Sequence, residues 1–328
     1  VLLTNLVITS ALSSPSVAIV NEVSRRSLLL QTGGSALVVA TSTTDSTATG
    51  TATTIIGDKT NNNVKIFNDP GTYSSLLYQP PAATTAKDGN TNNKLYPMIV
   101  FLHGAGKNER DISNLADPQG EYGGLLPSLL CNNDPQQQQV PQVLLDNFIV
   151  VAPYVGTGKS TFYDEPRSRL LDFISHATTA IPHVDPSRVT LFGFSDGATL
   201  AVELLTTQRF AAGIICSYGY SGGTLPALAR TKLSQIPLWV FHSADDRIFA
   251  VRNSDSLVSS LQQPSSSSSN DDTANDSITT SSSSLIRYTR FAKDPENVPG
   301  PARGHTTGIT ASRDARVYEW LLSLPPIH

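Results

Sequence analysis

The feature that most constrains this 328-residue chain is a serine set between a strand pattern and a helix pattern. Val189–Phe192 is a run of β-branched and aromatic residues, and apolar residues recur at helical spacing through Ala198–Leu205. Ser195 therefore falls on an abrupt turn, with Gly193 two residues before it and Gly197 two residues after it. Glycines allow the backbone to pack closely around such a turn, which lifts the serine hydroxyl out of the sheet. The pattern predicts a nucleophile, and a structural turn serine is the alternative.

A second glycine-containing loop follows an earlier strand pattern. Tyr96–Leu102 is a nearly continuous apolar run, typical of a strand buried on both faces, and it ends in H-G-A-G at residues 103–106. Acyl transfer needs backbone donors for an oxyanion, one after the nucleophile and one from an H-G-x-G loop. These donors would be the N–H groups of Asp196 and Ala105. His103 is expected to pack within the loop and not to act as a base.

A serine needs a base to remove its proton, and the base needs a carboxylate that fixes its tautomer. The expected chain order of serine, acid and histidine selects among the six histidines. His305 follows the final strand pattern, whereas His242 is too close in sequence to the candidate carboxylates. His305 is therefore the predicted base, with a surface-loop histidine as the alternative. Asp245 and Asp246 both follow the intervening strand, and the residues alone do not separate them.

Composition narrows the class of protein. A chain with 39% hydrophobic and 15% charged residues can bury one large core, and its net charge of -4 gives no basic surface for nucleic acid. Nucleic-acid binding is therefore excluded. Cys131 and Cys216 are predicted to be unpaired thiols, with a disulfide as the alternative. The histidines and cysteines show no metal-ligand spacing, so no metal is expected.

The first 40 residues have the composition of a targeting leader. Residues 1–20 are apolar and uncharged, and Arg25 and Arg26 precede a second apolar segment, which resembles a twin-arginine export signal. Two such signals in series resemble the leaders of algal plastid proteins bound for the thylakoid lumen. The mature protein is expected to be non-cytosolic and to have no stable membrane span. Secretion and a single uncleaved membrane anchor are the alternatives.

The rest of the chain divides by composition. Residues 41–54 contain mainly Thr, Ser, Ala and Gly and are predicted to be a disordered linker. Residues 55–328 form the predicted catalytic domain, interrupted by a serine-rich insertion at 262–284 that is predicted to be disordered. Strand and helix patterns alternate through this domain, which predicts an α/β fold with a mostly parallel central sheet and helices on both faces.

The carboxyl ends of the strands should form the active edge of that sheet. Four aromatic residues fall at such ends and are candidates for an aromatic substrate pocket, with ordinary loop packing as the alternative. These residues are Tyr154, Phe194, Tyr218 and Tyr220.

Five sequence blocks between about Tyr96 and Leu324 resemble the polyhydroxybutyrate-depolymerase-like and phospholipase/carboxylesterase branches of the α/β-hydrolase family. The blocks are YPMIVFLHGAG, FIVVAPY, VDPSRVTLFGFSDGA, IPLWVFHSADDRIFAV and GHTTGITASRDARVYEWLLS. In that family the acid stands four residues after the histidine of the fourth block, which implies Asp246. The chain departs from the family at Ser243, where glycine is usual, and at residues 196–198.

The resemblance implies a serine hydrolase that cleaves a small-molecule carboxylic ester through an acyl-enzyme. Ser195, His305 and Asp246 would form the triad, and no cofactor is required. A serine peptidase of the same fold and a non-catalytic binding protein of that fold are the rival predictions. No oligomeric state follows from the sequence.

Overall fold

The computed structural model of the chain describes residues 64–69, 71–84, 94–106, 111–132, 140–156, 162, 165–219, 225–262, 285–298 and 300–327. The predicted leader, the predicted linker, Tyr220 and all but the first residue of the serine-rich insertion lie outside the described residues.

Eight strands form one sheet within the described residues. They are β1 Val64–Asn68, β2 Ser74–Tyr78, β3 Tyr96–Leu102, β4 Ile149–Pro153, β5 Val184–Phe194, β6 Ala212–Cys216, β7 Leu238–Ser243 and β8 Ile286–Phe291. Their order in the sheet is β1-β2-β4-β3-β5-β6-β7-β8. β2 pairs antiparallel with β1 and β4, and the pairs from β4 through to β8 are parallel. The predicted mostly parallel α/β sheet is confirmed.

Helices follow most of the strands. They are α1 Pro81–Thr84, α2 Leu126–Cys131, α3 Gln142–Asn147, α4 Arg167–Ala180, α5 Asp196–Leu205, α6 Ala227–Leu233, α7 Arg252–Gln262, α8 Thr307–Arg313 and α9 Ala315–Ser323, with a 3-10 turn at Ile112–Leu115. In the part of the chain that is described, none of these helices is both long and apolar enough to cross a bilayer.

The apolar run of β3 explains why both faces of the sheet are covered. Met98, Val100 and Leu102 belong to a hydrophobic core shared with α4, α5 and α7. Ile99 and Phe101 belong to a second core, shared with α2, α3, α8 and α9. Successive side chains of a strand point to opposite faces, so a continuously apolar strand is stable only between two helical layers. The carboxyl ends of the parallel strands therefore meet along one edge of this three-layer domain.

β5 is longer than the sequence predicts. β5 begins at Val184, which pairs with Tyr96, five residues before the apolar strand run that starts at Val189. The register then shifts, and Met98 pairs with Val189. The polar residues 185–188 therefore lie at the amino end of a strand, and buried and exposed side chains do not alternate there. Without that alternation the sequence gives no strand signal for these residues.

Two local features near the site concern helix starts. α8 precedes α9, and the Asp314 side chain accepts a hydrogen bond from the Arg316 N–H at the start of α9. Ser254 lies in the first turn of α7, two residues after the helix begins, and is buried. Its hydroxyl contacts His242, 2.7 Å away.

Candidate active site

Ser195 lies at the junction between β5 and α5. Its backbone has φ 57° and ψ -123°, a region that residues with side chains rarely adopt. Its N–H donates to the Cys216 carbonyl at 3.0 Å, which ties the turn to β6. A Cβ atom on Gly193 would collide with the Gly197 carbonyl, and one on Gly197 would collide with the Leu102 carbonyl. Glycine at both positions therefore permits the close packing of the strand-to-helix turn.

His305 joins Ser195 to Asp246 through two hydrogen bonds. Its Nε2 is 2.8 Å from Ser195 Oγ, and its Nδ1 is 2.8 Å from Asp246 Oδ2. The three residues follow β5, β7 and β8, and they are 110 and 59 positions apart in sequence. The side chains of His305 and Asp246 are 8% and 0% exposed. The parallel sheet thus brings distant parts of the chain together in one water-poor cluster.

Four hydrogen-bond donors surround the Asp246 carboxylate. Besides His305, its Oδ1 accepts the N–H groups of Ile248 at 2.8 Å and Phe249 at 2.9 Å, and its Oδ2 lies 3.1 Å from His242 Nε2. Burial by itself would raise the pKa of Asp246, but hydrogen bonds from His242 and His305 outweigh it and lower the pKa to about 2. The carboxylate is therefore charged at neutral pH and accepts the Nδ1–H of His305.

Two aromatic rings and a second carboxylate hold His305 in place. Its imidazole packs between Phe194 and Phe249, with ring centroids 5.2 and 5.3 Å away. The buried Asp294 accepts both the N–H and the hydroxyl of Thr306 at 2.8 Å. These contacts fix the ring plane and the backbone that follows it, so His305 keeps its alignment towards both partners.

The loop at residues 103–106 lies beside Ser195. A Cβ on Gly104 would stand 2.9 Å from the Ser195 Cβ, so the backbone of this loop directly adjoins the serine. His103 is buried, with Nδ1 at 2.7 Å from the Gly104 carbonyl and Nε2 at 3.2 Å from the Val155 N–H. Burial lowers the pKa of His103 to about 4, although the bond to Gly104 opposes this. His103 is therefore a neutral ring that stabilises the loop, in agreement with the sequence prediction.

A cavity of about 840 Å³ lies over Ser195. Ala105, Asp196, Ser195 and His305 all line it, so both predicted oxyanion donors belong to residues that share a cavity with the predicted nucleophile. One part of the wall consists of aromatic and aliphatic side chains: Tyr122, Leu125, Phe194, Ile248, Phe249 and Ile309. A polar part contains Asn114, Asp117, Gln119, Glu121 and Thr306. The cavity combines a reactive centre with an apolar surface large enough for a small organic ligand.

Comparison with known proteins gives structural matches. No family model and no curated protein sequence matches the chain. A thermostable esterase superposes with a TM-score of 0.52 at 23% identity, covering 81% of this chain and 63% of the esterase. The chain has the α/β-hydrolase fold.

Two further solved structures match with lower scores. A dienelactone hydrolase-like promiscuous phosphotriesterase from metagenomic libraries has a TM-score of 0.48 at 15% identity, covering 81% of this chain and 99% of that chain. A putative dienelactone hydrolase from Klebsiella pneumoniae has a TM-score of 0.46 at 12% identity, covering 76% and 93% of the two chains.

Within this α/β-hydrolase fold the predicted aromatic pocket residues have different positions. Phe194 lines the cavity over Ser195, but Tyr154 lines a separate cavity of about 340 Å³ together with Tyr73 and Arg169. Tyr154 follows β4, which is separated from β5 by β3 in the sheet, and its role in substrate binding stays a prediction. Tyr218 is 3% exposed and packs into the core beside α5, so its side chain is also outside that cavity wall.

Several cavity residues escaped the sequence prediction. Ile248 and Phe249 follow Asp246 by two and three positions, a signal that they belong to the same loop as the acid. Tyr122 and Leu125 lie in or next to a glycine-rich stretch without strand or helix periodicity. The sequence therefore gives no signal that their side chains face the cavity.

The sequence also makes predictions about the two cysteines and about metal binding. Cys131 and Cys216 are both buried free thiols, as predicted. Across the described ranges, no group of three or more histidine, cysteine, aspartate or glutamate side chains is arranged to hold a metal ion.

Proposed function

We propose that this chain is a serine hydrolase that cleaves carboxylic esters of small molecules. The observation behind this proposal is the pair of 2.8 Å hydrogen bonds that join Ser195, His305 and Asp246 beside the large cavity. A hydroxyl bonded to an imidazole, which is bonded in turn to a buried carboxylate, is the arrangement that activates a serine. The five sequence blocks support the polyhydroxybutyrate-depolymerase-like or carboxylesterase branch.

The reaction would proceed in two acyl-transfer steps. Ser195 Oγ attacks the ester carbonyl as His305 Nε2 takes its proton, and the oxyanion accepts hydrogen bonds from the N–H groups of Ala105 and Asp196. The tetrahedral intermediate collapses, the alkoxide leaves with the proton from His305, and an acyl-serine remains. His305 then deprotonates a water molecule that attacks the acyl carbon, and the acid product leaves as Ser195 regains its proton.

The apolar part of the cavity wall favours an apolar acyl or alcohol group. Phe194 and Phe249 adjoin His305, so an organic group bound near the reacting carbonyl would contact both rings. The proposed reaction needs no cofactor, and the proposed partner is a small ester.

A fluorophosphonate probe and a substrate panel test the proposal. Probe labelling of Ser195 that is abolished by Ser195→Ala is the expected result, and an unlabelled wild-type protein would favour the non-catalytic binding protein. Hydrolysis of p-nitrophenyl acyl esters should exceed that of aminoacyl anilides. The opposite preference would favour the serine peptidase. A series of acyl chain lengths then identifies which esters the cavity accepts.

We further propose that the mature protein is exported or plastid-targeted, with cleavage near Ala40. The two apolar segments and the Arg25-Arg26 pair support this proposal. Amino-terminal sequencing of the protein purified from its native source should begin near residue 41, and an intact segment 1–20 would refute it.

A further inference from the structure

A second imidazole reaches the same carboxylate as His305. His242 ends up fully buried near the carboxyl end of β7, with Nε2 at 3.1 Å from Asp246 Oδ2 and 3.1 Å from the Phe249 carbonyl. His305 Nδ1 is 2.8 Å from the same Oδ2. One carboxylate oxygen thus accepts hydrogen bonds from two imidazoles. The proposed triad uses Asp246 and His305 but gives no function to His242.

The contacts of His242 define its tautomer. Its Nε2 faces two acceptors, a carboxylate and a carbonyl, so this nitrogen carries a proton. Its Nδ1 is 2.7 Å from the hydroxyl of Ser254, which is also fully buried. A hydroxyl can donate to Nδ1, which matches the neutral Nε2–H form of the ring.

Two ionisable side chains adjoin His242 among the described residues. His242 contacts the Asp246 carboxylate, and the same carboxylate oxygen contacts His305. Asp245 lies at the neighbouring position and faces Arg303 at 3.4 Å. If His242 were charged as well, two imidazolium rings would share one carboxylate oxygen, and the charge that His305 acquires during catalysis would be opposed.

We propose that His242 is a positioning residue that sets the basicity of His305 through Asp246, as a neutral Nε2–H donor held by Ser254. Its bond orients the carboxylate and disperses part of its negative charge. Loss of the donor would concentrate that charge on His305, which raises the pH at which His305 loses its proton. The catalytic consequence rests on the proposed serine-hydrolase function, but the protonation of the two rings does not.

Histidine-selective ¹⁵N NMR of the full chain tests the proposal without any substrate. In the wild-type protein at neutral pH, His242 should show the ¹⁵N shifts of a neutral ring protonated on Nε2. An Nδ1–H or charged His242 would overturn the proposal, and this measurement needs no variant.

A pair of variants measures the coupling between the rings. His242→Leu removes the donor and should raise the titration midpoint of His305 by about half a unit. His242→Gln retains an amide donor near the position of Nε2, so its midpoint should stay close to that of the wild type. Equal His305 midpoints in all three folded proteins would contradict the coupling.

Kinetics separates positioning from a purely structural role. The fraction of each protein that the fluorophosphonate labels gives the concentration of active enzyme. With kcat calculated from that concentration, His242→Leu should have a kcat about tenfold below the wild type with little change in KM, and His242→Gln should keep most of the wild-type kcat. A merely structural His242 would change the labelled fraction but not the midpoint of the rate against pH. If Ser195 reacts with the fluorophosphonate but no ester is turned over, the ester proposal fails, and the pH midpoint of the labelling rate still decides the role of His242.

Discussion

Gly304 lies directly against the backbone of Asp246. A Cβ atom on Gly304 would stand 2.5 Å from the Asp246 amide nitrogen, and the glycine has φ +80°. Gly304, which precedes His305, therefore packs against the peptide bond between Asp245 and Asp246. This contact closes the loop after β8 onto the loop after β7, which brings the imidazole to 2.8 Å from Oδ2.

Gly304→Ala should separate the imidazole from the carboxylate. We expect kcat to fall by roughly 10²-fold, because the added methyl group displaces the loop that holds His305. Gly300→Ala is the matched control, because Gly300 also has a positive φ, +100°, but has no atom within 4 Å of an added Cβ. Steady-state kinetics and thermal unfolding of both variants check this prediction, which fails if the two lose the same amount of activity.

Ser195→Ala and His305→Ala should each abolish ester hydrolysis and leave the fold intact. The two residues should act as one unit through their 2.8 Å hydrogen bond, so the rate losses caused by the two substitutions should not add. The rate of the double variant should match that of either single variant, with circular dichroism as the test of folding. A double variant much slower than both would contradict a shared role.

The neighbouring carboxylates provide a matched comparison. Asp246→Asn should lower kcat on the order of 10⁴-fold, because an amide in this position favours the wrong tautomer of His305. Asp245→Asn should cost little kcat, because the Asp245 side chain accepts bonds from Ser243 and from the Asp294 N–H and does not contact His305. Kinetics of the two variants under identical conditions decides between them, and a larger loss in Asp245→Asn would reverse the assignment.

His103 should make folding sensitive to mild acid. Burial lowers its pKa from 6.5 to about 4, so the unfolded chain takes up the proton first as the pH falls. The stability that depends on a neutral His103 is complete above about pH 6.5 and is lost progressively down to about pH 4, by roughly 3 kcal/mol. His103→Asn does not titrate, so its free energy of unfolding should fall less than that of the wild type across this window. Urea unfolding at a series of pH values measures the difference, and parallel curves would contradict it.

Long apolar patterns account for the parts of the fold that could be predicted. Tyr96–Leu102 was bounded correctly because a strand buried on both faces is apolar at nearly every position. α8 was not predicted because Thr307–Arg313 contains a single large apolar residue, Ile309, and no helical periodicity. Its position depends on contacts with α2 and with the cavity, which are distant in sequence.

The candidate site shows the same division. The strand-to-helix glycines and the chain order pointed to Ser195 and His305, whereas the choice between Asp245 and Asp246 came from the family resemblance. Side-chain direction at strand ends is not encoded by position alone, so the sequence could not show which cavity Tyr154 lines. The contact between His242 and Asp246 depends on the loop after β7, which folds back towards the strand end. The short distance in sequence between the two residues was an argument against His242 as the base.

β8 is one of the two edge strands of the described sheet and pairs with β7. It is also only partly buried, and the loop that it leads into supplies His305, whereas Ser195 follows the central strand β5. Edge strands open at a smaller cost than the middle of a sheet. We therefore expect activity to be lost before the fold, because local opening of β8 would separate His305 from Ser195 while both hydrophobic cores stay packed.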